Sequence, residues 1–204
     1  MTTRDTDAAW TGSCTGPCTS HFTAPVCIVW VAAALPAALC PVIAQATDYL
    51  SAADAQKLMF PDATTFAPQP LVSDSGPLRA LSERTGGPVN TAFWKISAAM
   101  AGDKLLGWVV TDSVIGKFEL IGYAVALSPA GEIRDVEILS YREAHGGEVR
   151  TPAWRRQFVG KTATAPLAIG NDIANISGAT LSCTHLTDGV RRIALYVQLA
   201  LARS

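Results

Sequence analysis

The distribution of apolar and polar positions divides the chain into regions of different period. Residues 24–46 read APVCIVWVAAALPAALCPVIAQA, a run without a charged side chain. Ser51 to Phe60 carries a short helical pattern, with Ser51 placed as N-cap, Asp54 placed to return the bond, and Pro61 ending it. Residues 61–92 are rich in Pro, Gly, Ser and Thr and hold no sustained period, which predicts a loop-rich connection. Strand patterns follow. Ala92 to Met100 and Lys104 to Ile115 flank Ala101-Gly102-Asp103, a turn composition that predicts a hairpin. Phe118 to Leu127 alternates, with Ile121, Tyr123, Val125 and Leu127 on one face and Gly122, Ala124 and Ala126 on the other. So small a face admits a second backbone or a flat ligand. Ser128-Pro-Ala-Gly131 predicts a turn and Ile133 to Leu139 a further strand.

Helical spacing returns afterwards. Pro152 to Gly160 predicts a short helix, with Pro near its start and Gly past its end. Leu186, Val190, Ile193, Val197 and Leu201 recur at steps of three and four, predicting an amphipathic helix of about four turns capped by Ser182 or Thr184. The expected architecture is α+β: an antiparallel β-sheet packed with helices, one compact domain after an N-terminal segment. We divide the chain into residues 1–46 as N-terminal extension and signal peptide or membrane anchor, 47–104 as helix, loop-rich lead-in and first strand, and 105–204 as the functional domain.

Composition adds little to this except at the N-terminus. Hydrophobic residues make up 49% and charged residues 16%, which fits a folded chain, and the formal net charge of -1 gives no electrostatic grip on nucleic acid. The run at 24–46 ends in Ala44-Gln45-Ala46, a small-x-small pattern suited to signal peptidase. Pro25, Pro36 and Pro41 disfavour a buried core helix, while a retained anchor is the competing expectation because the run is nearly long enough to span a bilayer. Arg4 is outweighed by Asp5 and Asp7, so the stretch ahead of the run is not a positive n-region, and translation is expected to start downstream of Met1. Cys14, Cys18, Cys27 and Cys40 all precede the expected cut, which leaves Cys183 without a disulfide partner.

The candidate chemistry lies just ahead of the last helix, in Ile176-Ser177-Gly178-Ala179-Thr180-Leu181-Ser182. Small residues there leave backbone N–H groups open to a ligand, a helix N-terminus supplies unpaired donors and partial positive charge, and Ser177, Thr180 and Ser182 add hydroxyls. The same composition also describes an ordinary decorated cap. Cys183, His185 and His145 form only a scattered set of metal ligands, and we expect no metal site. Neither a Walker A nor a Rossmann glycine motif is present, which argues against a nicotinamide site.

Three blocks in this order carry a resemblance. ISGATLS resembles the flavinylation motif of the FMN-binding domains found in Rnf and sodium-pumping NADH:quinone oxidoreductase subunits and in NosR-like proteins. Tyr141 to Val149 (YREAHGGEV) resembles that family's Glu-x-x-Gly loop, and Gln157-Phe158-Val159-Gly160-Lys161 resembles its Gln-Phe-x-Gly-Lys segment. The similarity runs from about Leu105 to Leu199. It implies FMN as cofactor, joined to Thr180 by a phosphoester that an exported, magnesium-dependent flavin transferase makes from FAD. Ser177, Gly178, Ala179, Ser182, Glu143, Gly146 and Gly147 would complete the site. The family's acidic motif position falls at Ala174, with Asp172 two residues early and Asn175 one late.

The resemblance also implies an electron carrier more than an enzyme. It would be exported to the periplasmic side of the cytoplasmic membrane, soluble or N-terminally anchored, with a membrane redox partner protein. Two alternatives stay open at this point: a flavin-free sensor or interaction module of the same fold, and a small exported serine hydrolase using Ser177 or Ser182 with His145 or His185 and Asp188. Glu143 and Arg142 also fit a loop salt bridge, and the two glycines also fit a turn that needs positive φ.

Overall fold

A computed structural model of the protein describes residues 48–70, 76–86 and 88–201. The expected signal or anchor segment at 24–46 lies outside them. The described elements, in order, are helix α1 (Ala52–Met59), β1 (Thr65–Gln69), α2 (Gly76–Thr85), β2 (Lys95–Ala101), β3 (Lys104–Ile115), β4 (Leu120–Leu127) and β5 (Ile133–Ser140). A 3-10 turn (Gly147–Arg150), the short helix α3 (Pro152–Arg155), a second 3-10 turn (Arg156–Phe158) and the long helix α4 (Thr180–Leu201) complete the chain. The five strands form one sheet in sequence order, each neighbouring pair antiparallel. The fold is therefore α+β, as the hydrophobic pattern predicts.

The two faces of β4 explain how the layers are sorted. Ile121, Tyr123, Val125 and Leu127 enter a large core with Leu186, Val190, Ile193 and Val197 of α4. Ala124 and Ala126 enter a smaller core on the other face with Ala55 and Met59 of α1 and with Phe60, which follows it. The small-residue face thus receives a helix and not a flat ligand. Ser51 caps α1, accepting from the Asp54 N–H at 3.1 Å, while the Asp54 carboxylate accepts from the Ser51 hydroxyl instead of reaching back to a backbone donor.

The predicted loop at 61–92 is corrected by two elements. β1 is an edge strand paired with β2, and it accommodates Pro68 because an edge leaves one side of the backbone without a ladder partner. Its side chains are mostly exposed, so alternation gave no signal. α2 starts on Gly76-Pro77 and buries only Leu78 and Leu81. Proline is well placed in a first helical turn, and two apolar contacts suffice for a helix laid on a larger core. α4 also begins earlier than predicted. It starts at Thr180 and runs for 22 residues, so Ser182 and Thr184 lie inside it and do not cap it.

A polar contact between β3 and β4 lies under α4. Tyr123, fully buried, donates from its hydroxyl to Asp112 Oδ2 at 2.7 Å, and Asp112 also accepts from the Ser113 N–H at 2.7 Å. Burial pushes the Asp112 carboxyl above its usual value despite these donors. Gly189 of α4 sits where the Tyr123 hydroxyl arrives, and any Cβ there would collide with the phenol. Gly189→Ala is expected to lower stability by about 1–3 kcal/mol through overpacking, although alanine is the better helix former. Urea unfolding checks this; unchanged or raised stability would contradict the packing described.

Candidate functional site

The turn ahead of α4 is built by one hydrogen bond and one backbone conformation. The Ala179 N–H donates to the Ile176 carbonyl at 3.0 Å, and Gly178, the third residue of that turn, has φ +80°. Glycine adopts this left-handed conformation without cost, which is the local reason for its place in the motif. The Ala179 carbonyl then accepts the Cys183 N–H at 3.0 Å, the first bond of the helix. The N–H groups of Thr180, Leu181 and Ser182 therefore have no partner within α4. Thr180 and Ser177 are exposed, while Ala179 and Ser182 are buried.

The segment leading into the turn is pinned by the Gln157–Lys161 block. Gln157 Oε1 accepts from the Ala174 N–H at 2.7 Å, and the buried Trp154 donates its indole N–H to the Ala174 carbonyl at 2.8 Å. Phe158 is fully buried, and Lys161 pairs with Asp172 at 3.0 Å. Asp172 also accepts from the N–H groups of Leu167 and Ala168. Partial burial raises its carboxyl pKa, but those N–H donors and Lys161 outweigh that and hold it below the ordinary carboxylate value. Asp172 is thus committed to the preceding loop, and at position 174 it is the backbone that is used.

The 141–149 loop closes over the start of α4. Gly146 has φ +83°, and a Cβ on it would collide with the Ala179 methyl and crowd the Tyr141 hydroxyl. Tyr141 donates to the His145 carbonyl at 2.5 Å, beside the Ser182 side chain. Gly147 begins the 3-10 turn, and a Cβ there would meet only the Arg150 side chain. Glu143 reaches the β3–β4 connection, where its Oε1 accepts from the N–H groups of Phe118 and Glu119 at 2.7 and 3.0 Å. Its neighbour Arg142 pairs with Asp48 at 3.4 Å.

Together these pieces enclose a cleft of about 280 Å³ lined by Lys117, Phe118, Glu143, Ala144, His145, Gly178, Ala179, Thr180, Leu181 and Ser182. Of the residues expected from sequence, Thr180, Gly178, Ala179, Ser182 and Glu143 lie on its wall. Ser177 sits in the adjoining turn, Gly146 supports the wall from behind, and Gly147 stands away from it. Sequence reasoning missed Lys117 and Phe118, because it began a strand at Phe118 where the structure has the end of a turn. Phe118 is 73% exposed and Lys117 lies 4.9 Å from its ring centre. Ala144 and His145 belong to the loop singled out in sequence, but their place on the wall followed from no pattern. His185, the other histidine considered, is held by the Ile115 carbonyl at 2.8 Å and lines a separate cleft with Asp188. Cys183 is buried, and burial pushes its thiol pKa up.

Glu143 gives a pH-dependent expectation. Partial burial pushes its carboxyl up, but the N–H groups of Glu119, Phe118 and Lys117 and the Lys117 charge outweigh it. Its pKa therefore lies below the ordinary value. A carboxylate depressed in the folded state adds stability above its unfolded pKa and loses it as pH falls through the folded one. Hydrogen-exchange protection at Phe118 and Glu119 is thus expected to fall as the solution is acidified below the usual carboxylate range. Glu143→Gln should flatten that dependence. Equal pH dependence in wild type and variant would show that Glu143 does not clamp the turn.

A helix N-terminus with open donors, a nearby lysine and an exposed aromatic side chain make this an α+β protein with a cleft suited to an anionic ligand. The FMN-binding domain family matches residues 116–194, and that segment of the chain belongs to it. No curated protein matches the chain. The protein is thus a flavin-binding protein with FMN as its cofactor, and the cleft residues fit that group. Phosphate suits the Thr180–Ser182 N–H groups, and the ring suits the apolar rim of Phe118 and Leu181.

Proposed function

We propose that the protein is an exported electron carrier whose FMN is bound covalently through a phosphoester to Thr180. The observation that carries this reading is the position of Thr180. Thr180 is exposed and lines the cleft, on the same first turn of α4 as the N–H groups that would hold the phosphate. When bound, FMN supplies reversible one- and two-electron chemistry, while the protein sets its position and surroundings. The N–H groups of Thr180, Leu181 and Ser182 would hold the phosphate, Lys117 would add positive charge, and Phe118 and Leu181 would flank the ring.

Carrier is preferred to stand-alone enzyme because of the cleft's size. Ligand pockets commonly span about 300–1,000 Å³, and a cleft of about 280 Å³ offers little enclosed space beyond that for a flavin. The ring would lie at the rim, open to a redox partner. Export to the periplasmic side is supported by the 24–46 run and its Ala-Gln-Ala end. No described helix is long and apolar enough to cross a membrane. A membrane protein is the proposed electron partner, and a flavin transferase would load the cofactor. Export would favour a covalent bond, because a carrier outside the cytoplasm cannot replace lost FMN.

The test is to titrate flavin-loaded protein anaerobically with a reductant and then with an acceptor dye. The visible absorbance should bleach and recover fully, with no catalytic consumption of either reagent's organic analogues. A flavin that resists reduction, or that is released when the chain is denatured, would contradict a covalent carrier.

A further inference from the structure

We propose that Asn175 is the positioning residue for flavin attachment, orienting the Thr180 hydroxyl in a chain that has Ala174 where the family's acid would stand; this rests on Thr180 being the attachment point. The Asn175 side-chain amide donates from Nδ2 to Thr180 Oγ1 at 3.0 Å. The contact is made across the Ile176–Ala179 turn, which folds position 175 back over the start of α4. Position 175 is itself fixed from behind, since both backbone groups of Ala174 are taken by Gln157 and Trp154.

The chemistry of attachment gives the contact its use. The Thr180 Oγ–phosphorus bond forms at the FMN phosphorus of FAD held on the transferase. The pyrophosphate P–O bond breaks, AMP leaves with the electron pair, and the hydroxyl proton passes to the transferase or to water. A threonine hydroxyl has two lone pairs and one rotatable proton. With Asn175 donating to one lone pair, the proton turns away and the other lone pair is free to attack in a fixed direction. Orientation of this kind accelerates a transfer without adding a reacting group. The amide also suits the product. The new diester carries negative charge, which an amide donor accommodates and a carboxylate at 175 would repel.

The test is a time course with the full chain, FAD, magnesium and a flavin transferase, read by in-gel flavin fluorescence and intact mass. Asn175→Ala is expected to slow attachment about tenfold. Its melting temperature should not change, because both partners are exposed. Thr180→Ser supplies a readout that a merely structural role would not move. Serine lacks the γ-methyl that restricts χ1, so its hydroxyl depends more on Asn175, and Asn175→Ala should cost more in that background. Attachment to Asn175→Ala at the wild-type rate would overturn the proposal, as would an equal loss in both backgrounds. Wild-type protein that takes no flavin from an active transferase would instead overturn the attachment reading, and this role with it.

Discussion

Gly146→Ala is expected to destabilise the protein by about 2–5 kcal/mol, the sum of a left-handed backbone penalty and an overpacking penalty. Gly146 has φ +83°, and its Cα faces the Ala179 methyl and the Tyr141 hydroxyl. Relief requires the 144–146 segment to move away from α4, and Ala144 and His145 are part of the cleft wall. Loss of FMN affinity should therefore accompany loss of stability. Two glycines serve as controls. Gly178 has φ +80° but open space around it, so Gly178→Ala should pay only the backbone penalty. Gly147 has neither positive φ nor close neighbours, so Gly147→Ala should be nearly neutral. Denaturant midpoints for the three variants check the order. A Gly146→Ala protein as stable as Gly147→Ala would contradict the packing of the loop on Ala179.

Thr180→Val is expected to abolish covalent flavin completely while leaving the fold intact. Valine keeps the β-branched shape of threonine but has no oxygen to form the ester. Thr180 is exposed, and its loss leaves the Asn175 amide to water, so stability should change by no more than about 0.5 kcal/mol. The backbone donors at the start of α4 survive the substitution. Reversible FMN binding should therefore persist, and the variant separates binding from bonding. In-gel fluorescence after denaturation reports the bond; equilibrium dialysis of the folded variant reports the binding. Fluorescence retained in Thr180→Val would place the bond elsewhere.

The parts of the fold that were legible in sequence are those where one face is buried and the other is not. β3 was read to its boundaries, and β4 and α4 were read from residues that now form the main core. β1 and α2 were hidden because an exposed edge strand with Pro68 and a helix holding two buried leucines leave no period to detect. The first turn of α4 was hidden for a related reason. Thr180, Leu181 and Ser182 include two hydroxyl residues, which read as a cap, and the helix begins without a side-chain cap.

The site was legible to a similar depth. The Ser177–Ser182 string and the 141–149 loop were visible as strings, and the structure brings them to one cleft. Their division of labour was not visible. Glu143 pointed in sequence to a ligand or a salt bridge, yet it holds the Phe118 and Glu119 N–H groups. Gly146 and Gly147 look alike in sequence, and only the first carries a positive φ and a crowded Cα. In sequence, Asn175 is a poor substitute for the missing acid one position away. Its contact with Thr180 depends on the turn geometry, which residue types alone do not specify.

The most direct measurement is peptide mapping of the full chain produced together with an active flavin transferase. Cleavage after Lys161 and Arg191 isolates residues 162–191 as one tryptic peptide. We predict that this peptide gains the mass of FMN less water, with fragment ions placing the increment on Thr180. An unmodified peptide, or flavin on another residue, would contradict the account.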